Sequence, residues 1–226
     1  MYSTKEMSVF DIIGPNMIGP SSSHTAGALR IARLARNMVK RPIEEVTFVL
    51  YGSFAMTYQG HGTDKALVAG MLGFDTEDER IKESFIFAKE AGLKYQFKLD
   101  TSKLDLHPNT VDIQITVEGG ETTTVTGVSI GGGRAVLKKI NGVEIDLSGD
   151  YYTVVIRHRD LPGVVAAVTD ILSKYNINIA FMKLYRENRG TIAYSIIETD
   201  ESLIEEIIDR IEELGNVFHA FLIEKL

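Results

Sequence analysis

The stretch YYTVVIRHRDLPGVVAAVTDILSKYNINIAF, residues 151–181, decides the fold of the C-terminal part of the chain. It opens with alternating apolar residues, typical of a strand. Pro162–Gly163 then begins a segment of helical periodicity, and a second alternation follows. The apolar residues of the three patterns are Tyr152, Val154 and Ile156; then Val164, Val168, Ile171, Leu172 and Tyr175; then Ile177, Ile179 and Phe181. The stretch therefore predicts a strand, a helix and a strand.

The rest of the C-terminal part repeats this plan. GTIAYSIIE at 190–198 predicts a strand, Ile204, Ile207, Ile208 and Ile211 stripe a second helix, and 217–223 predicts a last strand. The order β-α-β-β-α-β is that of a ferredoxin-like unit. The polar, glycine-containing stretch 141–150 predicts a boundary or linker, which divides the chain into domains at 1–147 and 148–226.

The N-terminal part mixes helices and strands. Apolar residues at Ile31, Leu34, Ala35 and Met38 predict one helix, and two further helices are expected over 63–73 and 78–92. Strands are expected over 45–52, 110–119, 122–132 and 134–142, the last three antiparallel. The predicted class is α+β, with a mixed N-terminal domain and a ferredoxin-like C-terminal domain.

Composition limits the possible functions. The net charge of -7 argues against nucleic acid or an anionic membrane as partner. No apolar run approaches the roughly 20 residues that span a bilayer. The N-terminus lacks the pattern of a signal peptide, so we expect a cytoplasmic protein. The chain has no cysteine, which excludes a disulfide, a thiol nucleophile and a thiolate metal site. The usual ligands of any iron–sulfur cluster must then come from another polypeptide.

MIGPSSSHTAG, residues 17–27, joins a Gly-Pro turn to the first helix. Ser22 or Ser23 could cap that helix alone, so three hydroxyls, His24 and Thr25 exceed what a cap requires. The start of a helix suits a carboxylate or phosphate, and a histidine there tends toward its neutral form, which can act as a base or donor. The alternative is a capped helix with a surface histidine.

A second stretch, GSFAMTYQGHGTDKA at 52–66, has the same plan of loop, histidine, hydroxyl and helix start. His61 lies between two glycines, which allow a close approach of the backbone to a ligand, and Thr63 and Asp64 open the next helix. If the two stretches face each other, they form an anion-holding pocket with two imidazoles. Metal binding by His24 and His61 is the less favoured alternative, because no carboxylate ligands accompany them. The glycines of 127–135 predict a turn or bulge instead of a phosphate loop.

A third stretch, IRHRDLPGVVAAV at 156–168, places His158 and Asp160 in a predicted loop before the helix, with Asn178 on the adjoining strand. These residues are candidates for a ligand site. The alternative is that Asp160 only caps the helix. His107 and His219 have no neighbours in sequence that suggest a role.

SVFDIIGPNMIGPSSSHTAGALRIA at 8–32, together with the second stretch, resembles the beta subunit of bacterial iron–sulfur-dependent L-serine dehydratases. The resemblance implies deamination of L-serine to pyruvate and ammonia, with a 4Fe–4S cluster as Lewis acid on a separate alpha subunit. It also implies that His24, His61, Ser21, Ser22, Ser23, Thr25 and Thr63 contact L-serine or shape its pocket. Our first catalytic candidate is His24, in an acid/base or substrate-orienting role, and the second is His61, and the sequence does not separate the two. Asp64, at the start of the helix, is a further substrate-binding candidate. The first domain is also similar to the extra substrate-binding domain of some phosphoglycerate dehydrogenases.

RDLPGVVAAVTDILSKYNINIAFM at 159–182 resembles an ACT domain, a module that senses small molecules. The resemblance implies an amino-acid ligand and pairing of two ACT units in a homodimer. The implied ligand contacts are His158, Asp160, Gly163, Val164 and Asn178. Asp160 stands where the serine-binding pattern has asparagine, and a carboxylate there suits the ammonium of a ligand, not its carboxylate.

Two other functions compete with that of a dehydratase subunit. One is a stand-alone cytoplasmic amino-acid-binding regulator without catalysis, and the other is a metal-dependent hydrolase that uses His24 and His61. A dehydrogenase is disfavoured because no dinucleotide fingerprint is present. The subunit hypothesis accounts together for the serine-rich turn, the second histidine, the ACT pattern and the missing cysteines.

Overall fold

The structure is a computed structural model that describes residues 16–103 and 105–225. Residues 8–15 of the first dehydratase-like motif lie outside the described residues, as does the N-terminus that we analysed for a signal peptide. The strands in the described residues form two sheets, one of six strands and one of four.

The six-stranded sheet has the order β2-β1-β3-β4-β5-β6. Strands β1 and β2 pair in parallel, and the other neighbours are antiparallel. The bounds are β1 Ile43–Tyr51, β2 Lys94–Asp100, β3 Thr110–Val117, β4 Thr122–Gly131, β5 Arg134–Ile140 and β6 Val143–Leu147.

Helices cover this sheet and position the serine-rich turn. The turn Ser22–Ala26 is π-helical and continues into helix α1, Gly27–Arg36. The apolar face of α1, which includes Ile31 and Leu34, is fully buried against strands β4 and β5 and helix α3. The other helices are α2 Gly52–Thr57, α3 Thr63–Met71, a 3-10 turn Glu79–Glu83 and α4 Ser84–Glu90.

Helix α3 crosses α1 at a glycine. A Cβ atom at Gly70 would lie 2.4 Å from the carbonyl oxygen of Leu29 and 2.6 Å from the Cβ of Ala32. Both distances are below van der Waals contact, and one involves backbone that a rotamer change cannot move. The close packing of the two helices therefore depends on the missing side chain at Gly70.

Replacing Gly70 with alanine is expected to lower the free energy of unfolding by about 2 kcal/mol. Overpacking of this kind costs about 1–3 kcal/mol, which exceeds the roughly 1 kcal/mol that alanine gains in a helix. Urea unfolding measures the change. Gly215→Ala is the matched control, because nothing lies within 4 Å of its added Cβ. Equal stability of the two variants would contradict the close crossing.

The four-stranded sheet is antiparallel with the order β10-β7-β9-β8. Its strands are β7 Tyr152–Arg159, β8 Ile179–Arg186, β9 Ile192–Thr199 and β10 Val217–Ile223. Its helices are α5 Val164–Lys174 and α6 Glu205–Glu212, which bury Val168, Leu172, Ile207 and Ile211 against one face. The α+β class and the ferredoxin-like order are confirmed.

The other face of this sheet packs on the first unit, which consists of the six-stranded sheet and its helices. Val155, Tyr194, Ile196 and Ile223 belong to the same apolar core as the six-stranded sheet and its helices. The first sheet ends at Leu147 and the second begins at Tyr152. The two units thus share a seam, and the domain division at 147/148 stays a prediction. Among residues 16–103 and 105–225, no helix has both the length and the apolar composition needed to cross a bilayer.

Several local expectations were wrong. The predicted linker 141–150 contains strand β6, whose Val143, Ile145 and Leu147 face the core. Strand β2 was not expected, because its charged and half-exposed residues occupy a sheet edge. The expected helix over 78–92 divides into a 3-10 turn and α4, and the expected loop after β1 is helix α2.

Candidate functional site

Ser21 starts the serine-rich turn. Its extended backbone precedes the π-helical turn, and its hydroxyl accepts a hydrogen bond of 3.2 Å from the backbone N–H of His24. The sequence had favoured Ser22 or Ser23 as the cap. The cap is Ser21 instead, because the π-helical turn already begins at Ser22. The cap fixes the backbone of His24 at the start of the continuous helical segment.

His24 is a buried side chain between two hydroxyl groups. It is 9% exposed, its Nε2 lies 2.9 Å from Ser53 Oγ, and its Nδ1 lies 3.4 Å from Ser21 Oγ. Phe54 packs edge-on against the imidazole with ring centroids 5.4 Å apart. Ser53 and Phe54 belong to the first turn of helix α2. Each ring nitrogen of His24 therefore has a hydroxyl neighbour with which it can share or exchange a proton.

The structure brings His24 and His61 together. Their ring centroids are 4.7 Å apart and their planes are nearly perpendicular, at 82°. Thr25 fixes the second loop to the turn, because its hydroxyl donates to the carbonyl oxygen of His61 at 3.0 Å. The two histidine stretches thus face each other, as the shared plan of the two sequences suggested.

Unpaired polar atoms accompany the histidine pair. His61 Nδ1 and the Thr63 hydroxyl are buried and have no hydrogen-bond partner among the described residues. Such groups usually bind a protein atom, water or a ligand, because each costs about 1–3 kcal/mol when left unpaired. The site therefore holds hydrogen-bonding capacity that the described part of the chain does not use.

The remaining predicted residues lie around this pair. Ser22 and Ser23 are half-buried, and their hydroxyls make no hydrogen bond within the described residues. Asp64 is 8% exposed, and its carboxylate accepts a hydrogen bond of 2.8 Å from the backbone N–H of Lys65. Burial raises the pKa of the Asp64 carboxyl above its ordinary value. An ammonium or another hydrogen-bond donor placed there would counter that effect.

The surroundings of His24 favour its neutral form. Burial is the larger cause that lowers the pKa of His24, and the neighbouring His61 lowers it further. The ordinary pKa of histidine is about 6.5. His24 is therefore uncharged at neutral pH and able to accept a proton.

His61→Gln is expected to raise the pKa of His24 toward its ordinary value, because the substitution removes one of the two causes of the shift. A histidine titration followed by NMR measures this in the full chain. His219→Gln is the matched control and should leave the pKa of His24 unchanged, since His219 lies on β10 of the second sheet. A His24 pKa that is the same in His61→Gln and the wild type would contradict the coupling.

The predicted ACT ligand residues are partly internal in this structure. His158 is on strand β7, not in a loop, and is 2% exposed. Its Nδ1 lies 2.7 Å from the carbonyl oxygen of Arg159, and its Nε2 lies 2.8 Å from Ser195 Oγ. The alternation of β7 continues to Arg159, which turns His158 inward. Both ring nitrogens are therefore occupied within the chain.

Asp160 does not cap helix α5 as the alternative proposed. The cap position is Gly163, with a positive φ of 88°, and Val164 begins the helix. The Asp160 carboxylate instead accepts hydrogen bonds from Arg186 at 3.1 Å and from the Gly190 N–H at 2.8 Å. These two bonds lower the pKa of Asp160. It ties the loop to the turn between β8 and β9.

Asn178 precedes strand β8 instead of lying on it, since β8 begins at Ile179. Its side-chain amide donates to Asp200 at 2.8 Å, and its backbone N–H donates to Glu201 at 3.0 Å. The ladder between β8 and β9 begins one residue later, where Ile179 pairs with Thr199. Asn178 and Asp160 therefore hold different ends of the second sheet.

Sequence reasoning missed Ser53 and Phe54, although both lie in the second quoted stretch. Neither belongs to a recognisable local pattern, because the role of each depends on contact with His24, which lies in a separate stretch of the sequence. Gly52, with a positive φ of 49°, is the signal that could have been used. It marks a sharp change of direction between β1 and α2, and such a turn often presents the next side chain.

No metal site is evident in the part of the chain that the structure describes. No three His, Asp or Glu side chains of residues 16–103 and 105–225 come together as potential ligands, and the chain has no cysteine. The metal-dependent hydrolase thus gains no support from the geometry.

Comparisons with known proteins agree over nearly the whole chain. The family described as serine dehydratase beta chain matches residues 8–140, and the ACT domain family matches residues 152–216. The chain is 45% identical to the probable L-serine dehydratase, beta chain, of Bacillus subtilis (strain 168), over 96% of this chain and 97% of that protein. It is 42% identical to the L-serine dehydratase, beta chain, of Peptoniphilus asaccharolyticus, over 89% of this chain and 91% of that protein. The L-serine dehydratase of Streptomyces coelicolor is 31% identical over 58% of this chain, a match that spans 33% of that protein.

Proposed function

This chain belongs to the serine dehydratase beta chain family, and from this we propose that it is the beta subunit of an L-serine dehydratase. The enzyme would convert L-serine to pyruvate and ammonia in the cytoplasm. The beta subunit would complete the active site of an alpha chain. The shorter match within the Streptomyces L-serine dehydratase supports an active site built from two parts. In that protein a segment similar to this chain forms part of one longer polypeptide.

The observation that carries the proposal is the environment of His24. A buried histidine with a lowered pKa, a hydroxyl 2.9 Å from its Nε2 and a perpendicular imidazole beside it is suited to proton transfer at neutral pH. Dehydration of L-serine requires removal of its α-proton. We assign this step to His24 Nε2, with the Ser53 hydroxyl orienting the ring or relaying the proton. His61 supports the neutral state of His24.

Substrate binding is assigned to the polar groups around this pair. His61 Nδ1 and the Thr63 hydroxyl have unused hydrogen-bonding capacity, as do the hydroxyls of Ser22 and Ser23. Hydroxyls beside the start of a helix suit the carboxylate of an amino acid, and the Asp64 carboxylate suits its ammonium. The remaining assigned residues, Ser21 and Thr25, shape the turn by their hydrogen bonds.

A 4Fe–4S cluster, the cofactor expected for the family, does not fit this chain. The chain lacks cysteine, and no described group of three His, Asp or Glu side chains offers an alternative set of ligands. The alpha chain is therefore the proposed carrier of the cluster. No step assigned to residues of this chain depends on the cluster.

The ACT domain is proposed to sense an amino acid and to pair with a second copy. Asp160, Gly163, Val164 and Asn178 remain the proposed ligand contacts. Because Asp160 and Asn178 lie at different ends of the sheet within one copy, Asn178 would reach the ligand from the second copy of the pair. His158 would support Asp160 from inside the sheet. The exposed apolar side chains of edge strand β8, Phe181, Met182 and Leu184, favour pairing along that strand.

Anaerobic affinity purification of this chain from its host tests the proposal. The expected result is a second polypeptide, rich in cysteine, that co-elutes with iron, sulfide and visible absorbance. A chain that purifies alone and still binds L-serine would favour the stand-alone regulator instead.

A further inference from the structure

Two adjoining cavities lie at the seam between the first unit and the four-stranded sheet, away from His24. Their volumes are about 60 and 30 Å³. Both units line them, because helix α1 leads into one wall and strands β7, β9 and β10 form another. The residues that line both cavities are Met38, Glu121, Thr123, His219 and Phe221.

Arg157, on β7, lines the smaller cavity with a donor that nothing uses. Its Nε is buried and has no hydrogen-bond partner among the described residues. The guanidinium lies 5.2 Å from the ring centroid of Phe218. This cation–π contact uses none of the guanidinium N–H groups, so they can still donate hydrogen bonds. A buried, unpaired N–H on a cation is costly, and an anionic acceptor would remove that cost.

The neighbouring cations already have partners. Lys40 pairs with Glu212 at 2.8 Å, and Arg41 pairs with Glu121. Among the described lysines and arginines that line the two cavities, Arg157 is left without a carboxylate. The seam therefore suits one added negative charge.

The rest of the smaller cavity combines a polar pair with apolar walls. The side-chain amide of Asn141 lies 3.4 Å from the hydroxyl of Tyr194, a residue that is 2% exposed. The apolar walls include Ile140, Val155 and Phe221. This lining fits a short molecule with one charged end and a small uncharged remainder.

We propose that this seam binds a small monocarboxylate, held by Arg157 and enclosed by both units. The two cavities have room for several waters, since one water needs about 10–15 Å³ in this measure, and a ligand of about six non-hydrogen atoms could replace them. Because both units contribute to the wall, the ligand stabilises their docked arrangement by mass action. Ligand binding thereby couples the position of the C-terminal unit to that of helix α1, which begins beside His24.

NMR of the arginine Nε–H groups in the full chain tests this inference, with acetate, pyruvate, L-lactate and inorganic phosphate as the probes. At least one carboxylate is expected to shift the Arg157 resonance, identified by its absence from Arg157→Gln. The Arg157→Gln substitution should weaken the binding of that carboxylate, measured by calorimetry, at least about tenfold. Arg157→Lys keeps the charge but not the Nε–H, so it should also weaken binding.

The controls separate this site from the others. Arg159→Gln, on the same strand, and Asp160→Asn should keep wild-type affinity, and so should His24→Ala, which makes the test independent of the proposed function. Three results would overturn the inference. These are no carboxylate binding at millimolar concentration, unchanged affinity in Arg157→Gln and Arg157→Lys, or binding of phosphate alone.

Discussion

Replacing His24 with alanine is expected to lower the turnover number for pyruvate formation by the assembled enzyme about 100- to 10,000-fold. A positioned general base contributes a factor of this size. His24 is the buried imidazole with a lowered pKa and a hydroxyl at 2.9 Å, and no other described group combines these properties. A coupled assay of pyruvate release from L-serine measures the effect.

The matched control is His107→Ala. His107 lies in the exposed loop before β3, and its ring Nδ1 accepts a hydrogen bond of 3.2 Å from the backbone N–H of Asn109. That variant should keep near-normal turnover, and both variants should still co-elute with the alpha chain. Near-normal turnover by an assembled His24→Ala enzyme would remove His24 from the catalytic role and leave His61 as the candidate.

Replacing Phe54 with alanine should give the largest loss of stability, about 3–5 kcal/mol in the free energy of unfolding. Phe54 is among the largest fully buried side chains and packs against the His24 ring, with the ring centroids 5.4 Å apart. Its removal leaves a cavity at the centre of the first unit, where α2 meets the serine-rich turn. Urea unfolding of the chain at neutral pH measures the loss.

Ile86→Ala serves as the control, because Ile86 is 54% exposed on helix α4. Its substitution should change the free energy of unfolding by less than about 1 kcal/mol. If Phe54→Ala were no more destabilising than Ile86→Ala, the packing of α2 under the site would be incorrect.

The second sheet could be predicted from sequence because its apolar patterns are regular. Strand β10 has the predicted bounds, 217–223, and the helix over 164–174 buries Val168 and Leu172 as its periodicity requires. Each helix of this unit buries a single stripe, which makes its period of 3.6 residues directly visible. Strands β7 and β9 are buried on both faces, but Tyr152, Val154 and Ile156 still recur at every second position of β7.

The first sheet was harder because two of its strands lie at edges. Strand β2 alternates half-buried and exposed residues, many of them charged, which resembles a surface loop. Strand β6 does alternate, as Val-Glu-Ile-Asp-Leu. The Asn-Gly before it and the Ser-Gly after it are typical of turns, however, and they favour a linker when only the sequence is considered. Its membership in the sheet depends on pairing with β5, a tertiary contact.

The candidate site could be predicted only in part. Two histidines at similar loop-to-helix junctions suggested a shared pocket, and their rings lie 4.7 Å apart. The contact between His24 and Ser53 joins two separate stretches, so it carries no local signal. His158 was misplaced because the strand runs to Arg159, three residues beyond the last apolar residue of the predicted pattern, Ile156, and the imidazole therefore faces into the sheet.

The most direct test of the central claim is pyruvate release from L-serine by separately purified chains under anaerobic conditions. The account predicts that this chain alone and the cluster-bearing partner alone are inactive, and that the mixture is active. Substituting the His24→Ala chain in the mixture should return the rate to nearly that of the partner alone. Full activity of the partner without this chain, or no activity in a mixture whose chains demonstrably bind each other, would contradict a shared active site.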